Sequence, residues 1–85
     1  RAFDLNAEAL DRAEAAGCTR AVSAADAVTG AEAVVTMLPA GSHVAAVYAN
    51  DVFGNAAPGT LLIDCSTIDV ATARSNAAAA AEHGL

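Results

Sequence analysis

A cluster of small polar residues follows a short apolar run in the last third of the chain. The run is Leu61–Ile63, and Asp64, Cys65, Ser66 and Thr67 come directly after it. Hydroxyl groups at a strand end can bind a ligand, and the free N–H groups of a following helix favour an anion such as a carboxylate. The same residues can also do no more than turn the chain and cap that helix. Both roles are open for this segment on the sequence alone.

The elements around this cluster are predicted from the spacing of apolar, capping, glycine and proline residues. Strands are predicted at 1–5, 19–22, 31–38 and 61–64, and helices at 7–17, 24–28, 41–50 and 69–83, with a loop at 51–60. Strands that alternate with helices indicate an α/β fold with a doubly wound parallel sheet. Ligands of such sheets bind beyond the carboxyl ends of the strands, which is where the polar cluster lies.

Length and charge restrict the function classes. The chain has 85 residues, so it forms one domain at most, and its abundant alanine predicts a thin core. Its net charge is −6, it has no lysine, and its four arginines are scattered, which argues against a nucleic-acid partner. No apolar run approaches the ~20 residues that span a bilayer, which argues against a membrane partner.

The thiols and imidazoles do not form a metal site by their spacing. Cys18 and Cys65 make no C-x-x-C pair, and each is expected to be a small buried or half-buried residue. His43 and His83 have no acid or thiol at ligand spacing. No metal is therefore predicted.

Three segments resemble the 3-hydroxyisobutyrate dehydrogenase family of β-hydroxyacid dehydrogenases. They are "FDLNAEAL" at 3–10, "AEAVVTMLPAGSHVAAVY" at 31–48 and "PGTLLIDCSTIDVATAR" at 58–74. The family carries a strand that ends in D-x-S-T-I-D at the position of the third segment. The "TMLP" at the end of an earlier strand is the second anchor. The resemblance covers nearly the whole chain.

The resemblance implies a partial Rossmann-type domain, similar to that of 6-phosphogluconate dehydrogenase, in which residues 1–85 form part of an N-terminal NAD(P)-binding domain. The family oxidises a small hydroxy acid with a nicotinamide cofactor. The implied activity is oxidation of 3-hydroxyisobutyrate to methylmalonate semialdehyde with NAD, in valine degradation. A homo-oligomeric full-length protein in the cytoplasm is implied as well.

The resemblance also implies which residues would meet the cofactor. Asp4 would accept hydrogen bonds from the adenosine ribose, which favours NAD over NADP. Leu38 and Pro39 would pass under the dinucleotide, and Thr67 would lie near the nicotinamide ribose. His43 stands near the cofactor, where the family often has Asn.

The implied substrate contacts are Ser66 and Thr67, as part of a site for the substrate carboxylate. Cys65 occupies a position where the family often has Ser, and we expect its side chain to pack without a role in the site. The family's catalytic lysine is absent from these residues, so no catalytic residue is assigned and the segment alone is expected to be inactive. The family's glycine-rich G-x-G-x-x-G turn would precede Arg1, and its C-terminal helical domain would follow Leu85. We therefore expect an internal segment of a longer enzyme.

Other functions remain open on the sequence. One is a non-catalytic dinucleotide-binding module with the same fold. Another is a related β-hydroxyacid dehydrogenase such as tartronate semialdehyde reductase. A third is an unrelated doubly wound domain such as a signalling receiver, which would need clustered acids at its first strand end and a late lysine.

Overall fold

The computed structural model describes all residues from Arg1 to Leu85. Its elements, in chain order, are helix α1 (Ala7–Ala15), helix α2 (Ala24–Val28), strand β1 (Ala33–Thr36), helix α3 (Gly41–Val47), a π-helical turn (Tyr48–Val52), strand β2 (Leu61–Asp64) and helix α4 (Val70–Glu82). The alternation of helices and parallel strands confirms the predicted α/β class.

Strands β1 and β2 pair in parallel, with Ala33 opposite Leu61 and Thr36 opposite Asp64. Both strands are predicted correctly, although β1 is shorter than the predicted 31–38. Because the offset between paired residues is constant, the polar cluster after β2 lies at the same edge of the sheet as the residues that follow β1. The segments after β1 and after β2 therefore meet at the carboxyl edge of the sheet.

The prediction of full strands at 1–5 and 19–22 is wrong. These segments form one parallel bridge between Ala2 and Arg20. The Ala2 N–H donates to the Thr19 carbonyl and the Ala21 N–H donates to the Ala2 carbonyl, each at 2.9 Å. Neither segment pairs with β1 or β2, and parallel pairing of only two segments is weak. The pairing therefore stays limited to the bridge.

The predicted helix starts are confirmed by their caps. Asn6, Ser23 and Asp69 each accept a hydrogen bond in the side chain from a backbone N–H of the following first turn. These bonds satisfy amides that have no partner inside the helix. Gly17 ends the α1 region with a φ of 106°, a conformation that a side chain would disfavour.

The helix predicted at 41–50 continues beyond its predicted end. After α3 the chain forms the π-helical turn, and Val52 at the end of that turn has no exposed surface. The prediction of a loop from Asp51 onward is therefore wrong for its first two residues. The physical reason is the burial of Val52 against the core, which outweighs the turn-forming residues that follow it.

The core lies on one face of the sheet and is as thin as the composition predicts. Val28, Val44, Tyr48 and Val52 form its buried cluster, and half-buried Val34 and Leu62 of the two strands pack against it, among other partly buried side chains.

The opposite face of the sheet is exposed. Val35, Leu61 and Ile63 keep 63%, 59% and 41% of their surface accessible. Cys65 continues this outward alternation and is exposed, as is Cys18 after α1, so the prediction that both cysteines are buried or half-buried is wrong. None of the helices is long and apolar enough to cross a membrane.

Candidate functional site

Hydrogen bonds tie the carboxyl ends of the two strands together. The Cys65 N–H donates to the Thr36 carbonyl at 2.8 Å. The Thr36 hydroxyl donates to Asp64 Oδ1 at 2.9 Å. One step further out, the Leu38 N–H donates to the Ser66 hydroxyl oxygen at 2.7 Å. The structure thus brings Leu38 and Ser66, two residues predicted from the resemblance, into direct contact.

Asp64 is the centre of this arrangement. Its Oδ1 accepts from both the Thr36 hydroxyl and the Ser66 N–H, the latter at 3.1 Å. Partial burial raises the pKa of the Asp64 carboxyl, but hydrogen bonds from the side chain and backbone of Ser66 and from Thr36 outweigh it, so the pKa lies below its ordinary value. Asp64 is therefore a carboxylate at neutral pH.

Tyr48 of the buried cluster lies near Thr36 and Asp64 and is 5% exposed. Burial raises the pKa of the Tyr48 hydroxyl, and the nearby Asp64 carboxylate raises it further, while the neighbouring Thr36 hydroxyl only partly opposes this. Tyr48 therefore stays neutral at neutral pH.

Sequence reasoning missed Thr36 and Tyr48 as members of the site. Tyr48 was predicted only as an apolar helix residue and Thr36 only as part of a strand. A buried threonine hydroxyl needs a partner, and this need was the available signal for Thr36. The identity of that partner, Asp64, depends on the strand register, which the sequence does not show.

Exposure differs among the predicted contacts. Thr67 and Pro39 are exposed, whereas Leu38 and Ser66 are half-buried. His43 is exposed on the first turn of α3. Thr67 therefore presents its hydroxyl to a ligand more openly than Ser66 does.

The starts of α3 and α4 lie side by side at this edge. A Cβ added at Gly41 would lie 3.4 Å from Asp69 Oδ1, the side chain that caps α4. The residue that precedes α3 is Ala40. Its side chain has no hydrogen-bond acceptor, so no side chain caps α3. The backbone N–H groups at an uncapped helix start are hydrogen-bond donors that have no acceptor within the helix.

Asp4 follows the bridge between Ala2 and Arg20, and no hydrogen bond joins it to the tied strand ends. Its side chain is exposed, and Oδ1 accepts the Asn6 N–H at 2.8 Å. This bond orders the turn before α1 and leaves the second carboxylate oxygen available. A structural role and a ligand contact are compatible at Asp4.

A cavity of about 570 Å³ lies behind the tied strands, between β2 and α4. Tyr48, Asp64 and Ser66 form polar parts of its lining, and alanines of α4 line much of the helix side. The small alanine side chains leave this space because they cannot reach across to the sheet.

Comparisons with known proteins match the whole chain. Residues 1–85 match the family described as the NAD binding domain of 6-phosphogluconate dehydrogenase. The NAD-dependent L-serine dehydrogenase of Pseudomonas aeruginosa is 49% identical, over 98% of this chain and 28% of its own. The 3-hydroxyisobutyrate dehydrogenase of the same organism is 46% identical, with the same two coverages.

A solved structure of the 3-hydroxyisobutyrate dehydrogenase of Mycobacterium tuberculosis with L-serine superposes with a TM-score of 0.93. It is 45% identical, and the match covers 96% of this chain and 28% of that one. The chain thus spans just over a quarter of the length of the curated relatives that it matches. With the parallel strands, the tied strand ends and a family match along its entire length, the chain belongs to the family of NAD binding domains of 6-phosphogluconate dehydrogenase.

Proposed function

We propose that this chain is the cofactor-binding part of a dehydrogenase that oxidises 3-hydroxyisobutyrate to methylmalonate semialdehyde with NAD. The observation that carries the proposal is the bond between Leu38 and Ser66, because it joins the predicted cofactor segment to the predicted substrate segment at one sheet edge. The identity to dehydrogenases of this name supports the substrate.

The residues present fit NAD. Asp4 has a carboxylate oxygen without a protein partner, which suits a ribose hydroxyl, and the negative charge would repel the 2′-phosphate of NADP. Leu38 offers a half-buried apolar surface at the strand end, and Pro39 and His43 are exposed beside it. We assign these four residues, with Thr67, to the cofactor side of the site.

The substrate side is assigned to Thr67. Ser66, which the resemblance places beside it, lies at the same sheet edge, where it bonds to Leu38 of the cofactor segment. The exposed Thr67 hydroxyl can donate a hydrogen bond to a carboxylate group. Bound NAD would supply the acceptor for a hydride from the hydroxyl-bearing carbon of the substrate. The hydroxyl proton must pass to a base, and no lysine is present in this chain to accept it. The 85 residues alone are therefore expected to be inactive.

A second candidate substrate is L-serine, which also carries a primary hydroxyl and a carboxylate. Two observations favour it: the 49% identical relative is named an L-serine dehydrogenase, and the superposed solved structure contains L-serine. The two substrates differ in the group beside the hydroxymethyl carbon, a methyl in one and an ammonium in the other.

The test is a steady-state assay of the full-length protein that carries this sequence. NAD and NADP are each supplied with 3-hydroxyisobutyrate and with L-serine, and NADH and NADPH are each supplied with tartronate semialdehyde, which is assayed in the reducing direction. A higher kcat/KM for 3-hydroxyisobutyrate with NAD than for any other pair supports the proposal. A preference for L-serine transfers the assignment to the second candidate. Absence of turnover with all of them, together with retained NAD binding, supports the non-catalytic module instead.

The place of the reaction in valine degradation, a cytoplasmic location and a homo-oligomeric assembly stay predictions. Growth on valine of a strain lacking the gene checks the first. Cell fractionation checks the second, and light scattering of the full-length protein checks the third.

A further inference from the structure

The bond between Leu38 and Ser66 extends the sheet beyond its last backbone pair. Thr36 lies opposite Asp64, and the same offset places Leu38 opposite Ser66. The β2 side no longer offers a backbone carbonyl to Leu38 at this step, and the Ser66 hydroxyl oxygen accepts the Leu38 N–H at 2.7 Å instead. The Ser66 side chain therefore accepts the hydrogen bond that a backbone carbonyl would accept if the strand pairing continued.

The next residue makes this bond the final one on the β1 side. Pro39 has no N–H, so it cannot pair, and its ring restricts Leu38 to an extended backbone. The direction in which the chain leaves β1 towards α3 therefore depends on how the Leu38 N–H is held.

Asp64 in turn holds Ser66. Its carboxylate accepts the Ser66 N–H at 3.1 Å and the Thr36 hydroxyl at 2.9 Å. Ser66 is half-buried and its hydroxyl oxygen already accepts the Leu38 N–H, so it is less open to a substrate carboxylate than exposed Thr67.

We propose that Ser66 is a positioning residue, which holds Leu38 and Pro39 in the cofactor-binding arrangement by accepting the Leu38 N–H while the Asp64 carboxylate holds the Ser66 backbone N–H. This inference rests on the proposed function, since it deepens the role of Leu38 and Pro39 in NAD binding. It makes Ser66 act on the cofactor through Leu38, and it leaves the direct substrate contact to Thr67.

Two measurements on the full-length protein test the inference. The first is amide hydrogen exchange at Leu38 by NMR, which reports the bond itself. The second is the Kd for NAD together with the KM for the hydroxy acid at saturating NAD. The variants are Ser66→Ala, which removes the hydroxyl, and Ser66→Thr, which keeps it. Ser75→Ala, an exposed serine on α4, is the matched control.

In Ser66→Ala we expect the Leu38 amide to lose protection and the Kd for NAD to rise about 5- to 30-fold, as for the loss of one to two kcal/mol. The KM for the hydroxy acid should stay unchanged. Ser66→Thr should restore both protection and affinity, and Ser75→Ala should change neither. Asp64→Asn provides a second variant of the same shape and should shift the Kd in the same direction.

Unchanged Leu38 exchange in Ser66→Ala would overturn the inference. So would a rise in the KM for the hydroxy acid with an unchanged Kd for NAD, since that result makes Ser66 a direct substrate ligand. A wild-type protein that binds no NAD overturns the proposed function and this inference together. A wild type that binds NAD, with equal affinity in Ser66→Ala, overturns the inference alone.

Discussion

Gly41 at the start of α3 approaches Thr72 of α4 so closely that a Cβ at Gly41 would lie 2.8 Å from Thr72 Cγ2 and 3.2 Å from its Cβ. The two helix starts that frame the sheet edge are thus packed without room for a methyl group. The absence of a side chain at Gly41 is a packing requirement at this contact.

Gly41→Ala should therefore destabilise the chain, by about 1–3 kcal/mol as for other overpacked contacts. Thermal unfolding followed by circular dichroism measures the loss. Thr72→Ser removes the closest methyl group and should recover part of the stability in the double variant. Ser42→Ala, one residue further along α3 and exposed, serves as the control. A Gly41→Ala variant as stable as the wild type would contradict this packing.

The Asp69 cap should make the stability of α4 depend on pH. Hydrogen bonds from the side chain and backbone N–H of Thr72 hold the pKa of the Asp69 carboxyl below its ordinary value. A group with a lowered folded-state pKa stabilises the fold above its ordinary pKa, and this contribution is lost as the pH falls through the lowered value. Asp69→Ala should lower the Tm at neutral pH and flatten the acid dependence.

Asp69→Asn separates the cap from the charge, because Asn also caps helices but does not titrate. It should keep most of the Tm at neutral pH and remove the part of the acid dependence that belongs to Asp69. Melting curves at neutral pH and below the ordinary carboxyl pKa measure both. Equal acid dependence in Asp69→Asn and wild type would refute the assignment.

Thr36→Val should raise the pKa of Asp64. The hydroxyl of Thr36 donates to Asp64 Oδ1 at 2.9 Å and so favours the ionised carboxyl, whereas valine keeps the shape without the donor. Titration of the Asp64 carboxyl carbon by NMR measures the change. As the pH falls, the stability that Asp64 contributes should be lost at a higher pH in the variant. Thr29→Val, at an exposed threonine, is the control and should leave this titration unmoved.

Phe53 and His83 should be energetically coupled. Their rings are stacked, with centroids 4.1 Å apart and planes 8° from parallel, and His83 Nδ1 lies 2.9 Å from the Ala79 carbonyl. A double-mutant cycle with Phe53→Leu and His83→Ala should give a coupling of about 0.5–1.5 kcal/mol. The same cycle with His43→Ala in place of His83→Ala should give additive effects. Additivity in the first cycle would show that the stack contributes nothing.

Asp4→Asn in the full-length protein should reduce the preference for NAD over NADP. The substitution removes the charge that would repel a 2′-phosphate and weakens an acceptor for the ribose hydroxyls. We expect the ratio of kcat/KM values for the two cofactors to fall about 5- to 30-fold. Glu8→Gln, an exposed acid on α1, should not change the ratio. An unmoved ratio in Asp4→Asn would leave Asp4 only its bond to the Asn6 N–H.

The sequence by itself determined the elements whose signals are local. Helix starts are indicated by Asn6, Ser23 and Asp69, because a capping side chain accepts a hydrogen bond from a backbone N–H within the next turn. The segments that become β1 and β2 can be recognised for the same reason, since β-branched residues and a continuous apolar run are local features of the sequence. The motif at residues 64–69 also carries the family resemblance directly. These features rest on neighbours along the chain, and the structure confirms them.

Tertiary structure decided what depends on distant partners. Residues 1–5 and 19–22 have strand-like composition, yet the available neighbours support only one bridge. The helix that begins at Gly41 continues as a π-helical turn because Val52 is buried in the core. The hydroxyl of Ser66 meets Leu38 only through a strand register that joins residues 28 positions apart. Hydrogen bonds of this kind depend on how the strands pair in space. The composition and periodicity of the sequence do not specify that pairing.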